Sequence, residues 1–280
     1  MMGAVTAALK GDDHNGPRIS GDPADAAEVT ATAPAATAVR PKAQAPRLVR
    51  ERRLLRKGHG LVAGVDEVGR GAWAGPLSVG VAVIEASRRR VPAGLRDSKQ
   101  LPEDTREAMF ERVGRWCAAW AVGHVSAEEC DRFGMTRALR VATQRAFAAL
   151  PDEARPDAVV LDGNFDYVSP PKVATLFDED DSRVCDPAVE TVIGADALCA
   201  SVAAASVLAK VTRDRIMRGL ADSFPPFDFD RNKGYPSPVH KRALAGYGLS
   251  AIHRRSWVFA DHLPWVAQRV VRPGVAPGAD

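Results

Sequence analysis

The chain has 280 residues, 46% of them hydrophobic, with a formal net charge of +3. This supplies a core for one large domain, or a domain with an appendage. No stretch approaches ~18 consecutive apolar residues, which excludes a membrane-spanning helix, and no long apolar core follows a basic start, so a secretory leader is not expected.

Residues 1–46 are rich in Ala, Pro, Thr, Gly and Asp and poor in large apolar side chains. They read as a disordered tail that cannot bury enough surface to offset chain entropy. From Arg47 to Lys57 there are six basic residues against one acid, Glu51. The run Leu61–Val65 then reads as a buried strand ending in Asp66 and Glu67, followed by the turn Gly69-Arg70-Gly71. A second strand is predicted over Leu77–Ile84 after a turn at Gly75-Pro76, a helix over Glu103–Trp116 and a third strand over Trp120–Val125. Ser126 caps a helix, or pair of helices, reaching Leu150, with Glu128 and Glu129 in the first turn, where the helix dipole favours acids. Ala158–Leu161 is a buried strand ending in Asp162, and Val189–Ile193 is a possible fifth strand. A long helix is predicted from Asp196 to Leu220 with a small-residue face, and another over Pro238–Tyr247.

Strands first and helices last suggest an α/β body with a small helical C-terminal lobe. Between Ser206 and Trp257 ten Lys and Arg face four Asp, a local +6, and two basic concentrations favour a polyanionic partner. The acidic knot Phe177–Asp181 reads as a solvated loop. Cys117, Cys130, Cys185 and Cys199 are scattered, without zinc spacing, as in a reduced cytoplasmic protein.

Acids end two strands (Asp66 with Glu67, and Asp162) and open a helix (Asp196). If those strands are neighbours, four carboxylates meet at one sheet edge and require a cation. Two divalent ions bridged by carboxylates are one solution for displacement at phosphorus, and Mg²⁺ suits an all-oxygen set. Asp214 is excluded as the fourth acid: 18 residues beyond Asp196 on one helix, it lies on the same face but ~27 Å away at ~1.5 Å per residue. It is expected instead in surface or inter-lobe ion pairs.

The sequence resembles type 2 ribonuclease H (ribonuclease HII) from Leu61 to Ser256. The carriers are Gly64–Pro76 with its Asp66-Glu67-Val68-Gly69-Arg70-Gly71, Asp97-Ser98-Lys99, Leu161-Asp162-Gly163, Ala195–Asp214, Asn232-Lys233-Gly234-Tyr235-Pro236 with His240, and Ile252-His253-Arg254-Arg255-Ser256. The resemblance implies a ribonuclease H-like fold, a central mixed β-sheet flanked by helices. It also implies a Mg²⁺- or Mn²⁺-dependent endoribonuclease, cytoplasmic and monomeric. Such an enzyme cleaves RNA in RNA/DNA hybrids and nicks ribonucleotide-containing duplex DNA, with no membrane partner.

By the same resemblance Asp66, Glu67, Asp162 and Asp196 are the catalytic and metal-binding acids. Gly69, Arg70, Gly71 and Tyr235 read the ribose 2′-hydroxyl, which separates RNA from DNA. Ser98, Lys99 and Lys210 lie near phosphates, positioning rather than reading sequence. The implied organisation is a catalytic domain over 47–222, a helical lobe contacting nucleic acid over 223–268 and a flexible tail over 269–280. Asp97 is expected to orient the Lys99 loop, Trp116 and Trp120 to pack in the core, and His240 and His253 to be structural or to contact phosphate. Two rivals are weighed. Type 3 ribonuclease H shares the acids, but has a folded N-terminal extension and lacks the Gly-Arg-Gly turn. A non-catalytic hybrid-binding protein would not need all four acids.

Overall fold

The computed structural model describes residues 45–87, 90–170 and 187–261. In chain order its elements are α1 (Val49–Arg56), β1 (Leu61–Val68), β2 (Leu77–Glu85), α2 (Glu103–Trp116), β3 (Ala119–Val125), α3 (Ala127–Phe133), α4 (Met135–Ala148), β4 (Ala158–Asp162), β5 (Ala188–Val192), α5 (Ala195–Leu198), α6 (Ala200–Ala221), α7 (Phe229–Asn232), α8 (Pro238–Tyr247) and α9 (Val258–Asp261). The strands form one mixed sheet in the order β3-β2-β1-β4-β5. β1 and β3 run antiparallel to β2, while β1, β4 and β5 are parallel to one another. Val65 of β1 is registered with Leu161 of β4, so Asp66 and Asp162 leave adjacent strands side by side.

Successive strand residues face opposite sides of a sheet, and both sides of this one are covered. Ala63, Val65, Val79 and Val81 pack with Leu139, Ala142 and Ala146 of α4. Ala82 and Ile84 pack with Ala204 and Leu208 of α6, and Val62 and Val160 with Val202. The small-residue face of α6 lets it approach the sheet backbone: a Cβ on Gly64 would lie 2.1 Å from the carbonyl carbon of Ser201, and one on Gly80 would lie 2.5 Å from the oxygen of Ala205. Asp66 therefore falls on the α6 side and Glu67 on the other.

Local expectations hold where local chemistry decides. Ser126 accepts from the backbone N of Glu129 while the Glu129 side chain returns to the Ser126 backbone, a capping box. Gly134, at φ +74°, divides the following segment into α3 and α4. Trp120 meets Phe110 edge-on at 5.3 Å, and Trp116 packs against the same core while its Nε1 donates to the carbonyl of Arg90.

The single helix expected from Asp196 is two helices. Cys199 is extended, at φ −109° and ψ 127°, because the segment before α1 intrudes there. The backbone N of Arg47 donates to the carbonyl of Leu198 at 2.9 Å, and Ala200 N donates to the carbonyl of Arg47 at 3.1 Å. Asp214 is also corrected: it is buried, not on the surface, bonded to Lys210 at 2.6 Å with Arg106 at 3.8 Å.

Beyond α6 the chain packs Phe227, Phe229, Ala243 and Leu244, together with Met217 of α6, around Ala74, which follows the Gly-Arg-Gly turn. Residues 1–44 of the expected 1–46 tail, the expected tail over 269–280, the acidic knot Phe177–Asp181 and Cys185 lie outside the described residues, in which Cys117, Cys130 and Cys199 are buried. Among the described residues no helix is long and apolar enough to cross a membrane.

Candidate active site

The carboxylates gather where β1 and β4 end and α5 begins. Asp66 is buried, its Oδ1 accepts from the backbone N of Glu67 at 2.9 Å, and the nearby Ser206 hydroxyl of α6 favours its ionised form. Ser206 Oγ lies 2.8 Å from Ser98 Oγ, so the two buried hydroxyls share a hydrogen bond. On the opposite face, the buried Tyr167 hydroxyl donates to Glu67 Oε2 at 3.0 Å. Asp162 Oδ1 accepts from the backbone N of Ala195 at 2.7 Å, tying the end of β4 to the helix that carries Asp196. Lys99 Nζ lies 3.1 Å from Asp196 Oδ2. Asp97 Oδ1 accepts from the Lys99 backbone N at 2.9 Å, so it holds that loop and adds a fifth carboxylate.

Electrostatics report the crowding. Burial pushes the Asp66 carboxyl well above the usual range, and the charges of Glu67 and Asp162 push it further. Asp162 is raised by burial and then by Asp196 and Glu67. Burial alone would depress the Lys99 ammonium, but Asp66, Asp196 and Asp97 outweigh it and hold the pKa above its ordinary value. Tyr167 is raised well above normal by burial and by Glu67 and Asp66, so it remains a donor.

The donor set is one of hard carboxylate oxygens, which suits Mg²⁺ or Mn²⁺ rather than a soft-metal cage. Among the described residues no three His, Cys, Asp or Glu side chains converge into a finished ligand cage. Lys99 supplies the nearest positive charge to Asp196.

The Gly-Arg-Gly turn forms the site's second wall. Gly69 has φ +85°, and a Cβ there would lie 2.3 Å from Arg213 Nε, so both conformation and space require glycine. A Cβ on Gly71 would meet nothing within 4 Å. The backbone N of Gly69 donates to the hydroxyl oxygen of Tyr235 at 3.1 Å. The carbonyls of Gly69 and Arg70 accept from the buried Arg254 at 2.6 and 2.9 Å. Arg213, also fully buried, donates to the carbonyls of Ala74, Pro76 and Lys233, with its guanidinium 5.4 Å from the Tyr235 ring centre. The Arg70 side chain is 63% exposed, with only a 3.4 Å approach to Glu67.

Of the expected phosphate-side residues, Lys99 stands among the acids and is largely exposed. Ser98 is buried behind Asp66. Lys210 is turned to Asp214, with its ammonium 5.8 Å from the Tyr235 ring centre.

His240 and His253 are buried and face each other, Nε2 to Nε2, at 2.8 Å. The backbone N of Ser250 donates to His253 Nδ1, which fixes the proton on His253 Nε2. His240 Nε2 must then accept, and His240 Nδ1 donates to the carbonyl of Tyr235 at 2.9 Å. These histidines are structural and neutral.

Sequence pattern alone did not single out Ser206, Tyr167, Arg213 or Arg254. A Ser in an otherwise Ala-rich buried face and a Tyr five residues after Asp162 were signals for the first two. The two arginines resembled surface charge.

Residues 63–260 match the family model for ribonuclease HII. The chain is similar to the ribonuclease HII of Streptomyces avermitilis, at 48% identity covering 76% of this chain and 83% of that one. It is 44% identical to the ribonuclease HII of Paracoccus denitrificans over 74% of this chain and 89% of that one. The crystal structure of the ribonuclease H2 of Pyrococcus horikoshii OT3 superposes with a TM-score of 0.57 at 31% identity, covering 72% of this chain and 95% of that one. The chain belongs to the ribonuclease HII family, metal-dependent endonucleases of the ribonuclease H class acting on RNA/DNA hybrids.

Proposed function

We propose that the protein hydrolyses the RNA strand of RNA/DNA hybrids and nicks duplex DNA on the 5′ side of embedded ribonucleotides, leaving 5′-phosphate and 3′-hydroxyl ends. The observation that carries this reading is the registered exit of Asp66 and Asp162 from parallel neighbours, close enough that the charge of Asp162 raises the Asp66 carboxyl pKa. Asp66, Glu67, Asp162 and Asp196 are the residues that would hold two Mg²⁺ or Mn²⁺ ions, which when bound supply an activated water and stabilise the leaving 3′-oxygen. Tyr167 orients Glu67 by donating to its Oε2, and the backbone N of Glu67 holds Asp66 Oδ1. Lys99, standing among the acids, positions the scissile phosphate by charge.

Tyr235 and the Gly69–Gly71 turn provide the sugar-reading wall. The inward-held carbonyls of Gly69 and Arg70 leave the turn's outer edge for the ribose 2′-hydroxyl, the group by which RNA differs from DNA at a site. Removal of ribonucleotides from DNA and of RNA primers are the roles this chemistry serves. The C-terminal lobe, whose helices are described as far as residue 261, contacts the duplex, and the enzyme acts as a monomer.

One duplex carrying a single ribonucleotide, incubated with Mg²⁺ and then with EDTA, tests the reading. Nicking 5′ of the ribonucleotide with Mg²⁺ alone is expected; binding without cleavage would favour a non-catalytic hybrid-binding protein.

A further inference from the structure

The groove between α1 and α5 takes no part in the chemistry above. It encloses about 450 Å³, with Arg47, Arg50, Arg53 and Arg56 on one wall and Ala197 and Leu198 on the other. Its walls are fixed to each other. Backbone hydrogen bonds join Arg47 to Leu198 and Ala200, and the buried Glu51 of α1 accepts from both the backbone N and the hydroxyl of Ser201 at 2.8 Å. The groove shares the short helix α5 with the site, since Ala197 and Leu198 line it and Asp196 precedes them on that helix.

Its charge is one-sided. Glu190 pairs with both Arg50 and Arg53, while Arg47 and Arg56 have no ion-pair partner among the described residues. Four guanidiniums against the carboxylates of Glu190 and the buried Glu51 leave a local formal charge of +2. Arg50 to Arg56 span roughly 9 Å of helix at ~1.5 Å per residue, close to three steps of a nucleic-acid strand at ~3.4 Å per phosphate along the axis. Val49 and Leu198, 64% and 53% exposed, form its apolar edges.

We propose that this groove binds the sugar–phosphate backbone of the substrate duplex beyond the acidic end of the sheet, as a second anchoring site. The proposal rests on the hybrid-cleaving function above and adds where the duplex is held. The guanidiniums contact phosphate oxygens, so the groove contributes affinity and register without reading sequence.

The test uses the full chain and a duplex of two helical turns containing one ribonucleotide. Equilibrium binding is measured in EDTA over a salt series, and nicking in Mg²⁺. The pair Arg47→Gln with Arg56→Gln should flatten the slope of log Kd against log salt by about 0.9 for each phosphate no longer neutralised, about 1.8 in all. KM should rise several-fold, with kcat at saturating duplex unchanged. Arg47→Lys with Arg56→Lys, which keeps the charge, should retain the wild-type slope; an equally flattened slope in both pairs would mark a structural role and overturn the proposal. So would a wild-type slope in the Gln pair with nicking intact. If the Gln pair instead dissociates a self-associated wild-type protein without changing the slope, a second copy fills the groove and the proposal fails. A wild-type protein that neither binds nor nicks the duplex overturns both this proposal and the function it rests on.

Discussion

The hydroxyl of Tyr235 sits 3.1 Å from the backbone N of Gly69, two positions 166 residues apart that meet at the turn following the paired acids. Arg254 holds the carbonyls of the same turn, Arg213 lies beside the Tyr235 ring, and His240 holds the Tyr235 carbonyl. The proposed sugar-reading wall is thus attached to the core by buried cations and a neutral histidine pair rather than by a flexible loop.

Tyr235→Phe removes the acceptor of the Gly69 N–H and any hydrogen bond to a 2′-hydroxyl. Losing hydrogen bonds worth about 1.5–3 kcal/mol lowers kcat/KM on a ribonucleotide-containing duplex about 10- to 100-fold. Steady-state nicking rates check this, with circular dichroism to confirm the fold. A variant as active as the parent would remove Tyr235 from the recognition wall.

Asp66→Asn should abolish Mg²⁺-dependent nicking yet raise the melting temperature in EDTA. Because the folded pKa of Asp66 is raised, the group's contribution to stability is fully present below the unfolded value near 3.8 and is lost as pH rises through the folded value. At neutral pH the buried carboxylate therefore opposes folding, and asparagine removes that charge. Relief of about 1–2 kcal/mol corresponds to a few degrees in a domain of this size. Thermal melts of both proteins in EDTA decide it, and a clear drop in the variant contradicts the crowding argument.

The histidine pair makes the C-terminal region acid-sensitive. Burial, then the neighbouring His240, depresses His253 to about 3, and burial lowers His240 as well. Below about pH 6.5 the unfolded chain takes up protons that the folded pair refuses. Stability therefore falls with pH by about 1.4 kcal/mol per unit per histidine. Urea midpoints from pH 7 down to pH 5 should fall less steeply in His253→Asn than in the parent; parallel curves would remove the pair as the source of this acid sensitivity.

Gly64→Ala tests the seating of α6. A Cβ at that position lies 2.1 Å from the backbone of Ser201, where no flexible side-chain end can give way. Overpacking of this kind costs about 1–3 kcal/mol or more. The displacement would pass through Ser206 to Asp66, so nicking should fall along with the unfolding midpoint. Gly71→Ala, with nothing within 4 Å of its Cβ, should leave stability within about 0.5 kcal/mol of the parent.

Local chemistry was readable from the sequence alone. Branched apolar runs bounded by glycine marked the strands, and the Ser126 and Glu129 pair marked its helix start. The spacing of Asp66, Glu67, Asp162 and Asp196 pointed to one sheet edge, because strand ends that carry acids are visible without knowing which strands pair. Three things waited for the tertiary structure. The break at Cys199 exists because Arg47, 152 residues earlier, supplies the hydrogen bonds that an uninterrupted helix would make internally. Arg213, Arg254 and Asp214 resemble surface charges in sequence; the packing of the C-terminal segment around Ala74 gives the two buried arginines their carbonyl partners, while Asp214 is buried against Lys210 of its own helix and Arg106 of α2. Whether Lys99 or Lys210 stands among the acids depends on which carboxylate each can reach. Side-chain type and spacing determine local structure, but the partners of a charge are set by chain segments far away in sequence, and those partners decide the chemistry at this site.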